Sequence, residues 1–104
     1  MGGSSKIPRS VRTAEFRKLF AALPDGVQAT AVARYKNYFR KDPYHSLLDR
    51  HNLQDVSGAA HASIAFEMAY GYRAVAFFDE SMSTYVWYWC GSHADYDKRF
   101  RRGR

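Results

Sequence analysis

Residues 63–90 read SIAFEMAYGYRAVAFFDESMSTYVWYWC, three apolar and aromatic runs parted by two short turn sequences. In the first run Ser63, Ala65 and Glu67 alternate with Ile64, Phe66 and Met68, the period of a half-buried strand. AYG turns the chain, and Tyr72 to Phe78 forms a second strand with Arg73, Val75 and Phe77 on one face and Tyr72, Ala74, Ala76 and Phe78 on the other. DESMS turns it again, and Thr84 to Cys90 is a third strand rich in β-branched and aromatic residues. Connections this short exclude a parallel crossover, so the three strands must form an antiparallel meander.

Upstream of the meander the period changes. Phe16, Leu19, Phe20 and Leu23 recur at i, i+3, i+4 and i+7, one face of a helix running from about Ser10 or Thr13 to Ala22. LPDG supplies a turn, after which Val27, Ala31, Tyr35, Tyr38 and Phe39 mark a second helix. Asp42-Pro43 stops it, because the residue before proline avoids helical geometry. The short link favours an antiparallel helical hairpin. Between Pro43 and Ala60, Leu47, Leu48, Leu53 and Val56 could anchor a short strand or an irregular segment, and SGAA reads as a loop. Beyond the meander, Ser92 can cap a short C-terminal helix whose fourth position is Asp95, with His93 as its first residue. Free N–H groups there would favour a phosphate. The sequence thus predicts an α+β domain, a helical hairpin on an antiparallel sheet.

A length of 104 residues allows one core. We expect a flexible arm over 1–10, a domain over 11–100 and a basic tail over 101–104. Sixteen Lys and Arg against ten Asp and Glu give a net charge of +6, which suits either a solvated basic surface or a polyanionic partner such as RNA. The single cysteine, Cys90, excludes an internal disulfide and lies among bulky apolar neighbours, the setting of a reduced core residue. No apolar run approaches the length of a membrane span and the N-terminal MGGSSK lacks the apolar centre of a signal peptide, so a cytoplasmic protein is expected.

Metal-ligand spacings, a P-loop and a dinucleotide fingerprint are all missing from the sequence, and no cofactor is expected. What remains is histidine, arginine and tyrosine in a basic chain. Cleavage of RNA needs a base for the 2′-hydroxyl proton, an acid for the leaving 5′-oxygen and positive charge on the phosphate. Histidine can fill either proton role near neutral pH, and arginine can hold the phosphate charge. His93 follows the third strand directly. Arg73 sits mid-strand among apolar residues, where it either binds phosphate or pairs with Glu67 across the hairpin. Tyr96, three residues past His93, can stack a base or donate to phosphate, or can pack its helix on the sheet. His51 in DRHNLQ reads as a solvated loop histidine with a catalytic role open, and the loop-like contexts of His45 and His61 favour the solvated reading more strongly. Arg50, Lys98 and Arg99 are the basic residues expected to guide RNA.

The element order and the ending YWCGSHADYDKRF resemble the RelE/ParE superfamily of bacterial toxin–antitoxin toxins, over roughly Val11 to Phe100. The resemblance rests mainly on GYRAVAFFD followed by WYWCGSHADYD, a strand arginine and then a final strand ending in a Gly-Ser/Thr-His segment. The YafQ-like ribonuclease branch is similar in that ending. It implies a helical hairpin on a curved antiparallel sheet, metal-free cleavage of messenger RNA, free or in the ribosomal A site, and a cognate antitoxin as partner, with no membrane. It also implies that His93 transfers a proton, that Arg73 stabilises the phosphate and that Tyr96 positions the substrate. RHNL further matches the family's H-x-L segment at His51. The lysine-rich site of the founding RelE type has no counterpart here, so its acid and base roles do not carry over. The rival is the ParE branch, which shares the fold and poisons DNA gyrase, with a non-toxic antitoxin-binding relative as a third possibility.

Overall fold

The computed structural model describes residues 8–53 and 62–101; His61 and Val56 fall outside them. The described chain runs β1 (Arg9–Arg12), α1 (Ala14–Ala21), α2 (Asp25–Arg34), β2 (His51–Leu53), β3 (Ser63–Ala69), β4 (Tyr72–Asp79), β5 (Thr84–Ser92) and α3 (His93–Tyr96). A π-helical turn, Tyr35–Phe39, prolongs α2, a 3-10 turn, Ser46–Leu48, precedes β2, and a second π-helical turn, Asp97–Arg101, prolongs α3.

The expected helical hairpin is present, and its ends show why. Thr13 caps α1 by accepting from the Phe16 N–H at 3.1 Å, which selects Thr13 over Ser10 as the start. Gln28 of α2 donates its amide to Ala21 O, the last carbonyl of α1, at 3.3 Å and to Leu23 O in the link at 2.9 Å. Phe16 is buried on the sheet side of α1, and Phe39 meets Phe66, Tyr85 and Trp87 edge-on at the centre of the helix-side core.

The sheet order is β1-β5-β4-β3-β2. The meander β3-β4-β5 is antiparallel, as expected, and of the two readings open for the segment before it the short strand holds: β2 pairs antiparallel with β3. One strand departs from the sequence reading: β1 takes in Arg9 and Ser10, which that reading gave to a flexible arm, and it pairs parallel with β5. The physical reason is local and long-range at once. Ser10 Oγ accepts from Tyr35 at 2.7 Å and from Trp87 Nε1 at 3.1 Å, tying the strand to helix and sheet together.

Two cores lie on opposite faces. Ile64, Phe66, Ala74, Ala76, Tyr85, Trp87 and Cys90 face the helices. Ala65, Val75, Trp89 and Tyr96 form a smaller cluster on the other face, with Tyr88 and Phe100 against it. Strict alternation along β5 would keep Trp87 and Trp89 on one side. A bulge prevents this: Val75 opposes Trp89 while Ala76 opposes Trp87, so Tyr88 is an extra residue and both Tyr88 and Trp89 reach the second face.

Cys90 is buried as expected, and burial pushes its thiol up from 9.0 to about 12. The thiol therefore ionises first in the unfolded chain, so its contribution to stability is complete below pH 9.0 and is lost as the pH rises toward 12. The unfolding free energy of the parent relative to Cys90→Ala is expected to fall by up to about 1.4 kcal/mol per pH unit in that window. Urea titrations of both proteins at pH 8, 9.5 and 10.5 check it, and a constant difference would refute a buried, neutral thiol.

Candidate active site

The candidate site lies on the sheet face away from the hairpin, and strand register builds it. Across the sheet, His51 opposes Ala65, Ala65 opposes Val75 and Val75 opposes Trp89. The next row runs Glu67, Arg73 and Gly91. Residues paired across strands point to the same side, so His51 and Arg73 share the second face with Tyr96. Ala65 and Gly91 are small where bulk would block the face. A Cβ on Gly91 would meet Trp89 Cη2 at 2.8 Å, which is why the ring can lie across that backbone.

At the end of β5 the chain turns sharply. Ser92 accepts from the Asp95 N–H at 3.1 Å, the cap anticipated from sequence. His93 N–H donates to Gly71 O at 2.8 Å, so the β3–β4 turn fixes where the imidazole begins. Gly71 has φ +81, a left-handed backbone that suits glycine. These two bonds also correct the idea of a free anion cradle at the start of α3, because two of its first N–H groups are already used.

Four of the sequence-selected residues converge. Tyr96 is 2% exposed and packs its ring in the second cluster, so it serves as the floor of the site and offers its hydroxyl, not an open stacking face. That hydroxyl lies 3.3 Å from His51 Nε2. The Arg73 guanidinium carbon sits 5.4 Å from the Tyr96 ring centroid, and the His93 ring centroid lies 6.0 Å from that centroid. His93 is half exposed, with Nδ1 3.5 Å from Asp97 Oδ2. Arg73 opposes Glu67 in register but does not pair with it: Arg73 Nη1 bonds Asp49 Oδ2 at 3.1 Å, and Glu67 turns toward Arg34 at 4.0 Å. The Arg73 side chain is 15% exposed and its Nε is buried without a partner among the described residues.

The other basic candidates stand apart. Arg50 points to the helix-side core, where it donates to Tyr85 Oη at 3.0 Å and lies 3.9 Å over the Tyr44 ring. It follows the alternation of extended chain, which sends neighbours Arg50 and His51 to opposite faces. Lys98 and Arg99 are exposed on the turn after α3, with Arg99 over Phe100 at 4.8 Å. His45 accepts from the Leu47 N–H at 3.1 Å and stacks near Tyr38, a local structural role. Asp49 was not among the sequence candidates: a polar residue in a weakly patterned loop gives no signal before the register is known.

On the helix side, α1, α2 and the sheet enclose a groove of about 380 Å³ lined by Phe20, Phe66 and Trp87, with Arg12, Arg34 and Lys36 outnumbering Glu67 among its charged residues. Among the described residues no helix is long and apolar enough to cross a membrane.

No family model and no curated protein matches the chain by sequence. Two solved structures match it in three dimensions. The archaeal RelE–RelB complex from Pyrococcus horikoshii superposes with a TM-score of 0.61 at 11% identity, over 86% of this chain and 96% of that one. The toxin–antitoxin complex RelBE2 from Mycobacterium tuberculosis gives 0.61 at 17% identity, over 88% and 98%. Over most of its length the chain therefore superposes on both, and it has the RelE toxin-like fold.

Proposed function

We propose that this protein is the toxin of a toxin–antitoxin pair, a metal-independent endoribonuclease that cuts messenger RNA and so arrests translation and growth in the cytoplasm. The observation that carries the reading is the convergence of His51, Arg73 and His93 around Tyr96 on one sheet face. Two imidazoles and a guanidinium can supply the base, the acid and the positive charge that in-line attack of a 2′-hydroxyl on its neighbouring phosphate requires. One imidazole takes the 2′-proton as the O2′–P bond forms. The other protonates O5′ as the P–O5′ bond breaks, and Arg73 carries the extra negative charge between them. Exposed Lys98 and Arg99 add sequence-independent attraction for the backbone.

The solved toxin–antitoxin assemblies of like fold support an antitoxin as protein partner. We assign that partner to the helix-side groove, whose apolar floor and basic surround suit an acidic amphipathic segment. This leaves the RNA face to the RNA.

The test is to incubate pure protein with naked RNA and with programmed ribosomes and to map the cut ends. Cleavage leaving 2′,3′-cyclic phosphate is expected on at least one substrate. Intact RNA on both, together with DNA damage and filamentation in cells, would replace this reading with gyrase poisoning of the ParE kind.

A further inference from the structure

Asp49 ends the 3-10 turn before β2 with φ 49 and ψ 47, a left-handed conformation, and its N–H donates to Ser46 O at 3.1 Å. Among residues with a side chain, Asp and Asn enter that region most readily, and β-branched residues scarcely at all. From there two further groups of Asp49 reach the site. Its main-chain oxygen lies 3.1 Å from His51 Nδ1, and its carboxylate lies 3.1 Å from Arg73 Nη1.

The first contact has a definite chemical consequence. A carbonyl oxygen can only accept, so His51 Nδ1 must carry the proton. In a neutral ring the lone pair then rests on Nε2, the nitrogen that faces the Tyr96 hydroxyl at 3.3 Å. The neutral histidine side chain in water prefers the other tautomer, so the left-handed backbone at residue 49 selects the less common form. The second contact fixes the guanidinium, whose Nε is buried and unpartnered among the described residues.

We infer that Asp49 is a positioning residue of this site: its left-handed main chain sets the tautomer of His51 so that Nε2 is the basic nitrogen, and its carboxylate holds Arg73 beside it. The role of Nε2 in catalysis rests on the ribonuclease reading; the tautomer does not. Strained backbone at a functional cluster is a familiar pairing, and here the strained residue contacts two of the three polar groups that the proposed chemistry uses, His51 and Arg73.

Ring-nitrogen NMR of the full chain without RNA tests the inference directly. The parent, Asp49→Asn and Asp49→Gly are expected to show His51 protonated at Nδ1, because all three tolerate the left-handed conformation. Asp49→Val is expected to lose that preference. In RNA cleavage Asp49→Val should lower kcat about tenfold or more, the usual scale for a group that orients another, with KM little changed. Asp49→Asn should restore most of it. A parent His51 protonated at Nε2 overturns the inference whatever the variants do, as does a folded Asp49→Val that keeps the Nδ1 proton. A parent that cleaves no RNA overturns the ribonuclease reading alone, since the NMR result is obtained without substrate.

Discussion

His93→Ala is expected to lower RNA cleavage by about 10²–10⁴-fold, the usual range for losing a general acid or base. The urea midpoint should stay close to the parent's, because the ring is half exposed and its contact with Asp97 lies at the surface at 3.5 Å. Arg73→Ala should cost about 10²–10³-fold for want of its charge on the phosphate. It should also loosen the site, since Asp49 and the Tyr96 ring both lose a partner. Arg73→Lys is an informative control: the charge remains but the planar fork does not, so only partial recovery is expected. Growth arrest in cells and end-mapping in vitro are the measurements. A folded double variant, His93→Ala with Arg73→Ala, that still arrests growth would remove the catalytic claim.

The largest effect on stability with a functional signature is expected from Trp89→Ala, at about 3–5 kcal/mol. Trp89 packs Phe100 at 5.3 Å edge-on and Tyr96 at 6.2 Å, and its ring covers Gly91. Removing it takes away the support that holds α3, and with it His93, over the sheet. Phe39→Ala provides the comparison: it should cost a similar amount, about 3–5 kcal/mol, from the helix-side core. Denaturant titration gives the two stabilities, and cleavage rates corrected for the folded fraction separate them. The folded fraction of Phe39→Ala should cut RNA at nearly the parental rate, whereas that of Trp89→Ala should not. Equal rates would show that the second cluster does not position the site.

How much of this was legible in advance depended on whether a signal was local. Period-two alternation in Ser63–Ala69 and Tyr72–Asp79 gave those strands, and the Ser92 cap gave α3, because each depends on neighbours in the chain. Arg9–Arg12 carried no such pattern; RSVR is a strand because Trp87 and Tyr35 hold it, and their hydrogen bonds span dozens of residues. His93, Arg73 and His51 could be selected as chemically unusual, yet the sequence alone did not place them together. Tyr96 was open between substrate contact and packing, and burial gives its ring to packing. Asp49 was illegible for a different reason: its contacts exist only after a left-handed turn and the β2–β3–β4 register have both formed. Arg50 shows the converse, since its separation from His51 follows from simple alternation.

The bulge in β5 has one more implication, which concerns counting. Between Trp87 and Cys90 the strand holds one residue more than β4 opposes, and Tyr88 is that surplus. Without it, Trp87, Trp89 and Cys90 would fall inward, outward and inward by ordinary alternation, the sides they occupy now. A central strand of this protein thus contains a position where the chain can shorten by one and still deliver its histidine to the same side, at the loss of the 2.6 Å Tyr88–Ser63 bond. Change of length, normally confined to loops, is open here to the strand that leads into His93.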